Sequence, residues 1–173
     1  MIELIIGVVV YAIISTVVAV VISNSLRMYS DVRSRKNLNI DGQYSVFLFT
    51  RDYSHLSQDT GLLTADNKKL LFKSTQGYMV EYQLDTTSFT RKLISEGIKR
   101  TLANNVDVNG SQFQYFEKNH TPLTNFPLSA ADRLKVWKVE LLINMANETD
   151  TIAYLADVYP ENYKLALEGC TEN

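Results

Sequence analysis

From Leu4 to Ile22 no residue is charged, and only Tyr11, Ser15 and Thr16 interrupt the apolar run. A helix rises about 1.5 Å per residue, so about 20 such residues cross a hydrocarbon core of roughly 30 Å. Inside lipid the backbone has to satisfy its own polar groups, which demands a helix in spite of the many Val and Ile residues. Leu4, Gly7, Tyr11 and Ile22 therefore fall in a predicted transmembrane segment. Helical spacing continues through Leu26, Tyr29, Val32 and Arg33, and neither Pro nor Gly occurs between Gly7 and Gly42. Asp41-Gly42 is a candidate kink or break. Beyond it, Val46, Phe49, Tyr53 and Leu56 recur at i, i+3, i+7 and i+10, which predicts a helical stretch to about Ser57.

The period then changes. Lys69–Ser74 is a short apolar run. Tyr78, Val80, Tyr82 and Leu84 alternate with Met79, Glu81, Gln83 and Asp85 as in a half-buried strand, and Thr75-Gln76-Gly77 is a hairpin-length connection between the two. Ser88–Ile94 pairs next, turned by Asp85-Thr86-Thr87; Ile98–Val106 reads as either a short helix or a strand. Ser111–Glu117 alternates again after the turn signal Asn109-Gly110, and Asn119–Ala131, with Pro122 and Pro127, reads as a loop. Leu134–Met145 is the strongest strand, with Trp137, Val139, Leu141 and Ile143 on one face. Ile152–Tyr159 returns antiparallel to it after Asn147-Glu148-Thr149-Asp150. A long helix followed by sequentially adjacent strands predicts an α+β fold, the helix packed on a largely antiparallel sheet. Residues 1–37 form the anchor with its basic flank, and 38–173 a globular domain whose aromatic core is Trp137, Phe113, Tyr115, Tyr82 and Phe89.

Composition sharpens this picture where it is asymmetric. The chain is 46% hydrophobic with net charge −2, yet Arg27, Arg33, Arg35 and Lys36 against Asp31 give the stretch after the span a net of +3. The remainder, from Asn37, is acidic by four charges. That balance argues against a nucleic-acid surface, which needs a positive field to neutralise phosphates. Three prolines and seven glycines are too few for a disordered chain. Cys170 is the sole cysteine, so no intrachain disulfide is available; it reads as a small residue near the C-terminus, with an intermolecular bridge as the other reading. A cleaved signal peptide would have a basic flank, a shorter apolar run and an A-x-A-like site, whereas here the flank is Met1-Ile2-Glu3.

Catalytic constellations are poor. His55 and His120 are the only histidines, and neither has a second His or a Cys at metal-ligand spacing. No nucleophile elbow, phosphate-binding loop or H-E-x-x-H is present. Asp59, Asp66 and Asp85 border turns, where Asp is ordinary. Asn144, Asn147, Glu148 and Asp150 form the densest oxygen cluster and read as a solvated hairpin tip rather than a calcium loop. No catalytic, metal or cofactor site is expected, and the chain reads as a non-enzyme.

Glu3 is the residue that asks for an explanation, because its carboxylate lies at or inside the edge of the apolar run. Near the centre of a bilayer an acidic residue costs roughly 2.5–3.5 kcal/mol, and less near an end. It either reaches the headgroups or meets a positive partner on a neighbouring helix. Met1-Ile2-Glu3-Leu4-Ile5-Ile6-Gly7-Val8-Val9-Val10 resembles the mature start of the type IV pilin family, entered two residues late. In that family a glutamate inside the apolar helix pairs with the N-terminal amine of the adjacent subunit, and the resemblance gives that role to Glu3. Tyr78–Asp85 followed by Ser88-Phe89-Thr90-Arg91 is similar to the hairpin of J-type minor pseudopilins and W-type minor pilins. So is Leu102-Ala103-Asn104-Asn105-Val106 leading to Phe113-Gln114-Tyr115-Phe116.

The resemblance implies a minor pilin or pseudopilin with a priming or tip role in a type IV pilus, type II secretion or DNA-uptake filament. Its partners would be sister subunits and membrane lipid. It further implies a single pass through the cytoplasmic membrane with the C-terminal domain outside, and a basic leader ending in glycine just upstream of Met1. The positive-inside rule applied to Arg27–Lys36 alone gives the opposite topology, which such a leader would reverse. The alternative is a bitopic membrane protein whose extracytoplasmic domain is a sensor or binding module and never assembles.

Overall fold

The computed structural model describes residues 2–57, 61–147 and 150–161. The chain divides into two compact units, Met1–Asn37 and Leu38–Asn173. One helix, α1 (Ile2–Ser54), supplies all of the first unit's described residues and opens the second. Asp41-Gly42 does not break it: Gly42 is an interior, buried helical residue. It is needed for space rather than for flexibility, since a Cβ there would strike the ring of Tyr154. The helix ends at Ser54, three residues before the expected boundary, and Leu56 instead forms a β-bridge with Ser74.

Within the second unit the strands form two antiparallel sheets, where the sequence pattern predicts one. The first has the order β1 (Leu62–Ala65), β2 (Lys69–Lys73), β3 (Met79–Leu84), β4 (Ser88–Leu93), β5 (Ile98–Asn104). The second has the order β7, β6, β8, β9, with β6 Gln112–Phe116, β7 Pro122–Leu123, β8 Lys138–Ala146 and β9 Thr151–Val158. Ile98–Asn104 is therefore a strand, paired through Leu93↔Ile98 and Phe89↔Ala103. The expected loop between residues 119 and 131 contains β7 and the start of the one-turn helix α2 (Ala130–Arg133), capped by Ser129 Oγ accepting from the Asp132 amide. The β2–β3 hairpin turns where expected, with Ser74 N donating to Tyr78 O and Gly77 at φ +88°, a conformation that side chains resist.

Alternation along the strands explains the core. Leu70 and Phe72 of β2, Val80, Tyr82 and Leu84 of β3, and Phe89 of β4 face inward from the first sheet. Phe113 and Tyr115 of β6 and Val139, Leu141, Ile143 and Met145 of β8 face inward from the second. Phe49 of α1 touches both sets: its ring lies 5.4 Å from Tyr82 and 5.8 Å from Phe113. Trp137 is only half-buried, outside this core; it precedes β8, and Lys118 Nζ sits 5.3 Å from its ring centre.

Two short segments join the sheets. The β1–β2 turn is one: Asn67 O accepts from Phe113 N, Asp66 O accepts from the Tyr115 hydroxyl at 2.9 Å, and Lys68 Nζ donates to the carbonyls of Val108 and Ser111. Burial pulls the Lys68 pKa below its ordinary value, against the opposing influence of Asp107 and Asp66. Asn105 is the other. Its left-handed φ of +59° is tolerated by Asn, and it lets Val106 leave the first sheet and bridge to Met145.

Candidate functional site

In the first unit, every residue from Ile2 to Arg33 is exposed, including Leu4, Gly7, Tyr11 and Ile22. This is the one helix among the described residues that is long and apolar enough to cross a membrane. Two of its polar side chains are accommodated locally: Thr16 Oγ1 donates to Ala12 O and Ser25 Oγ to Val21 O, each at 2.9 Å. Such bonds to the preceding turn satisfy these two hydroxyl donors without water. Glu3 stands in the first helical turn, where a carboxylate is favoured by the unpaired amides of the helix N-terminus. At about 1.5 Å per residue, Arg27 falls about 8 Å beyond Ile22, and Arg33, Arg35 and Lys36 about 17–21 Å beyond it. All four are exposed.

In the second unit, the last turns of α1 meet strands β3 and β4 at a charged cluster. Tyr82 and Arg91 are directly paired across these strands, so their side chains share a face. Both converge on Asp52: the Tyr82 hydroxyl donates to Oδ2 at 2.9 Å and Arg91 Nε donates to the same oxygen at 2.6 Å. Arg51 supplies Oδ1 through Nη2 at 3.0 Å. The side chains of Asp52 and Arg91 are 9% and 15% exposed. Burial, followed by the Asp52 charge, pushes the Tyr82 pKa well above the ordinary phenol value. Burial also works against the Arg91 charge, but Asp52 and Tyr82 outweigh it and raise that pKa.

Beside this cluster lies a cavity of about 340 Å³. Tyr78, Val80 and Leu93 give it apolar wall, and Arg51 and Arg91 stand against Asp52 and Glu96 as its charges. Sequence reading picks out Tyr82 and Arg91 as parts of a hairpin but misses Asp52. The signal available was its place immediately before Tyr53, on the flank of the stripe that includes Phe49 and Tyr53.

The remaining candidates stay apart. His55 is half exposed, 3.6 Å from Glu161, and His120 has a φ of +63° in the turn between β6 and β7. Asp66 and Asp85 sit at turns, Asp85 also bonded to Lys99 at 3.2 Å. Asn144 does not belong to the hairpin tip: its Nδ2 donates to Gly110 O at 3.0 Å and its backbone amide to Ser111 Oγ. Asn147 and Asp150 close the turn after β8 through Asn147 N donating to Asp150 O. Cys170, Asp59, Glu148 and Met1 lie outside the described residues. Among the described residues no group of three or more His, Cys, Asp or Glu is placed to hold a metal. Comparison with protein-family models, with characterised proteins and with solved structures finds no match.

Proposed function

We propose that this chain is a membrane-anchored, pilin-like structural subunit that associates with sister subunits through its N-terminal helix, as a minor pilin or pseudopilin does. One observation carries the reading. A single helix, α1, is apolar and exposed over Leu4–Ile22 and buries Leu38, Gly42, Ser45, Leu48, Phe49 and Tyr53 over its later turns. An apolar surface of that extent needs lipid or other helices around it. The same element thus serves as anchor before assembly and as packing surface after it. Association is the whole of its work, without covalent chemistry, and the acidic second unit makes no nucleic-acid contact.

Glu3 is the charge that gives assembly its register in this reading. A carboxylate in a helix bundle is costly alone and is offset by a neighbour's amine. The test compares wild type with Glu3→Leu in the natural host, measuring membrane-fraction abundance and crosslinking to sister subunits together. Crosslinking should fall about tenfold or more while abundance holds, since removing one member of a partly buried pair costs at least about 1.4 kcal/mol. Equal crosslinking in both would sink the assembly role and leave a non-assembling bitopic protein. The proposal also sets the second unit outside the cytoplasmic membrane. Protease added to spheroplasts should digest it, and full protection would reverse the topology.

A further inference from the structure

An edge strand presents a row of unpaired N–H and C=O groups, and proteins keep such rows from recruiting other chains by making them short, bulged or covered. Among the described residues, three of the four sheet edges are treated in this way. β1 is four residues long with a register shift between Leu62 and Thr64, and β7 is two residues long. β9 lies against α1, with Tyr154 over Gly42 and bonded to Asn39. β5 is the exception. It runs seven residues, its pairing with β4 is regular from Ile98 to Thr101, and these four residues are exposed. None of their backbone groups bonds outside the β4 ladder among the described residues.

What guards β5 is charge, and the charge is of one sign. Residues 88–104 hold Arg91, Lys92, Lys99 and Arg100 against Glu96 alone, a net of +3 in a unit that is acidic by four. The register sets Arg91 opposite Arg100 and Lys92 opposite Lys99, and like charges in directly opposed positions destabilise a ladder. Neighbouring carboxylates answer only part of this. Asp52 takes Arg91, Glu81 is drawn to Lys69 at 2.8 Å, and Asp85 meets Lys99 at 3.2 Å in an exposed, weak pair. Arg100 has no ion pair among the described residues. A second β5 approaching this edge sets cations on cations and is repelled. An extended segment with adjacent acidic residues meets the reverse. Neighbouring positions on a strand point to opposite faces, so one carboxylate reaches Lys99 and the next Arg100 while the two backbones bond. We propose that the β5 edge binds an extended acidic segment of another polypeptide as an added strand. The inference goes beyond the assembly reading and stands whether or not the helix assembles.

The experiment uses the full chain in nanodiscs of zwitterionic lipid and follows backbone amide hydrogen exchange, with the capped hexapeptide Thr-Val-Glu-Glu-Val-Thr as the probe. Saturable slowing at Ile98–Thr101 is expected, with β1, the other edge of the same sheet, unchanged. The peptide with lysine in place of both glutamates should protect nothing. Neither should the acidic peptide N-methylated at every amide, which keeps the charge and loses the ladder. Arg100→Glu, at an exposed position, should weaken the acidic peptide several-fold and let the lysine peptide bind. No protection up to roughly 5 mM, an affinity too weak to count as a site, overturns the proposal. Equal protection by the N-methylated or the lysine peptide overturns it too, as does an Arg100→Glu variant that binds the acidic peptide as wild type does. Slowing that grows with the chain's own concentration in the absence of peptide would make a second copy the occupant and overturn it equally.

Discussion

Asp52 holds two guanidiniums and a phenol at one carboxylate, and its removal exposes what each partner was worth. Asp52→Asn leaves Arg91 charged in a pocket where it is mostly withdrawn from water. A loss of about 3 kcal/mol is expected, measured by denaturant unfolding of the second unit. Tyr82→Phe removes one hydrogen bond and keeps the ring packing, so it should cost only about 1 kcal/mol. The two variants also separate in alkali. The folded Tyr82 pKa is raised, so its contribution is fully present below the ordinary phenol pKa of about 10 and is lost as pH rises past it. Tyr115 is shifted the same way, by burial first and then by its neighbours Tyr53 and Asp66. Wild type should thus destabilise above about pH 10 with a steep slope, and Tyr82→Phe should remove one proton's worth of it. An unchanged slope would mean that Tyr82 titrates as it does in the unfolded chain. None of this was legible from Asp52 itself, which looks like any polar residue on a helix flank. Its meaning comes from the strand pair that delivers Arg91 to it.

At the scale of elements, the later turns of α1 are shaped by one close approach. Tyr154 of β9 lies over Gly42 and its hydroxyl donates to Asn39 Oδ1 at 2.9 Å. Gly42→Ala gains helix propensity of about 1 kcal/mol but displaces the ring, and overpacking typically costs about 1–3 kcal/mol. The net expectation is a modest loss. In a Tyr154→Ala background the clash is gone, so the same change should become stabilising by about 1 kcal/mol. A double-mutant cycle by thermal unfolding reads the reversal; additive effects would show that the ring swings away freely. Sequence alone marks Gly42 as a breaker, because Gly is a poor helix former. Only the ring across from it reveals that the position is selected for size.

For the whole molecule, the buried surface of the second unit begins at Leu38, so this unit carries the helix turns that complete its core. Removing residues 1–27 should leave a soluble fragment that unfolds cooperatively. Its near-ultraviolet signal should come chiefly from the packed rings of Tyr53, Tyr82 and Tyr115, with Trp137 contributing less from its half-buried place. A fragment that aggregates and gives no tyrosine dichroism would show that folding needs the anchor's environment. Phe49 joins the helix to both sheets, through Tyr82 in one and Phe113 in the other, and Phe89 and Phe113 join the sheets to each other with rings 6.3 Å apart. Phe49→Ala should therefore destabilise the fragment by about 3–5 kcal/mol, as truncation of a fully buried aromatic does.

The sequence by itself determined the apolar run, the helical stripe through Phe49 and Tyr53, and the alternation of β3, β6 and β8, because periodicity records which side of an element meets water. It also carried the turns at Thr75-Gln76-Gly77 and Asp85-Thr86-Thr87, whose geometry is local. The tertiary structure alone decided that the strands divide into two sheets, since nothing in a single strand's alternation says which neighbour it pairs with. It decided that Ile98–Asn104 is a strand, for an edge strand with one exposed half lacks a clean pattern. It moved Trp137 out of the core and Asn144 away from the hairpin tip. And it assembled Asp52, Tyr82 and Arg91, which lie up to 39 residues apart in the chain. Long-range charge pairing leaves no periodic trace, because it depends on where two backbones meet and not on the spacing along either one.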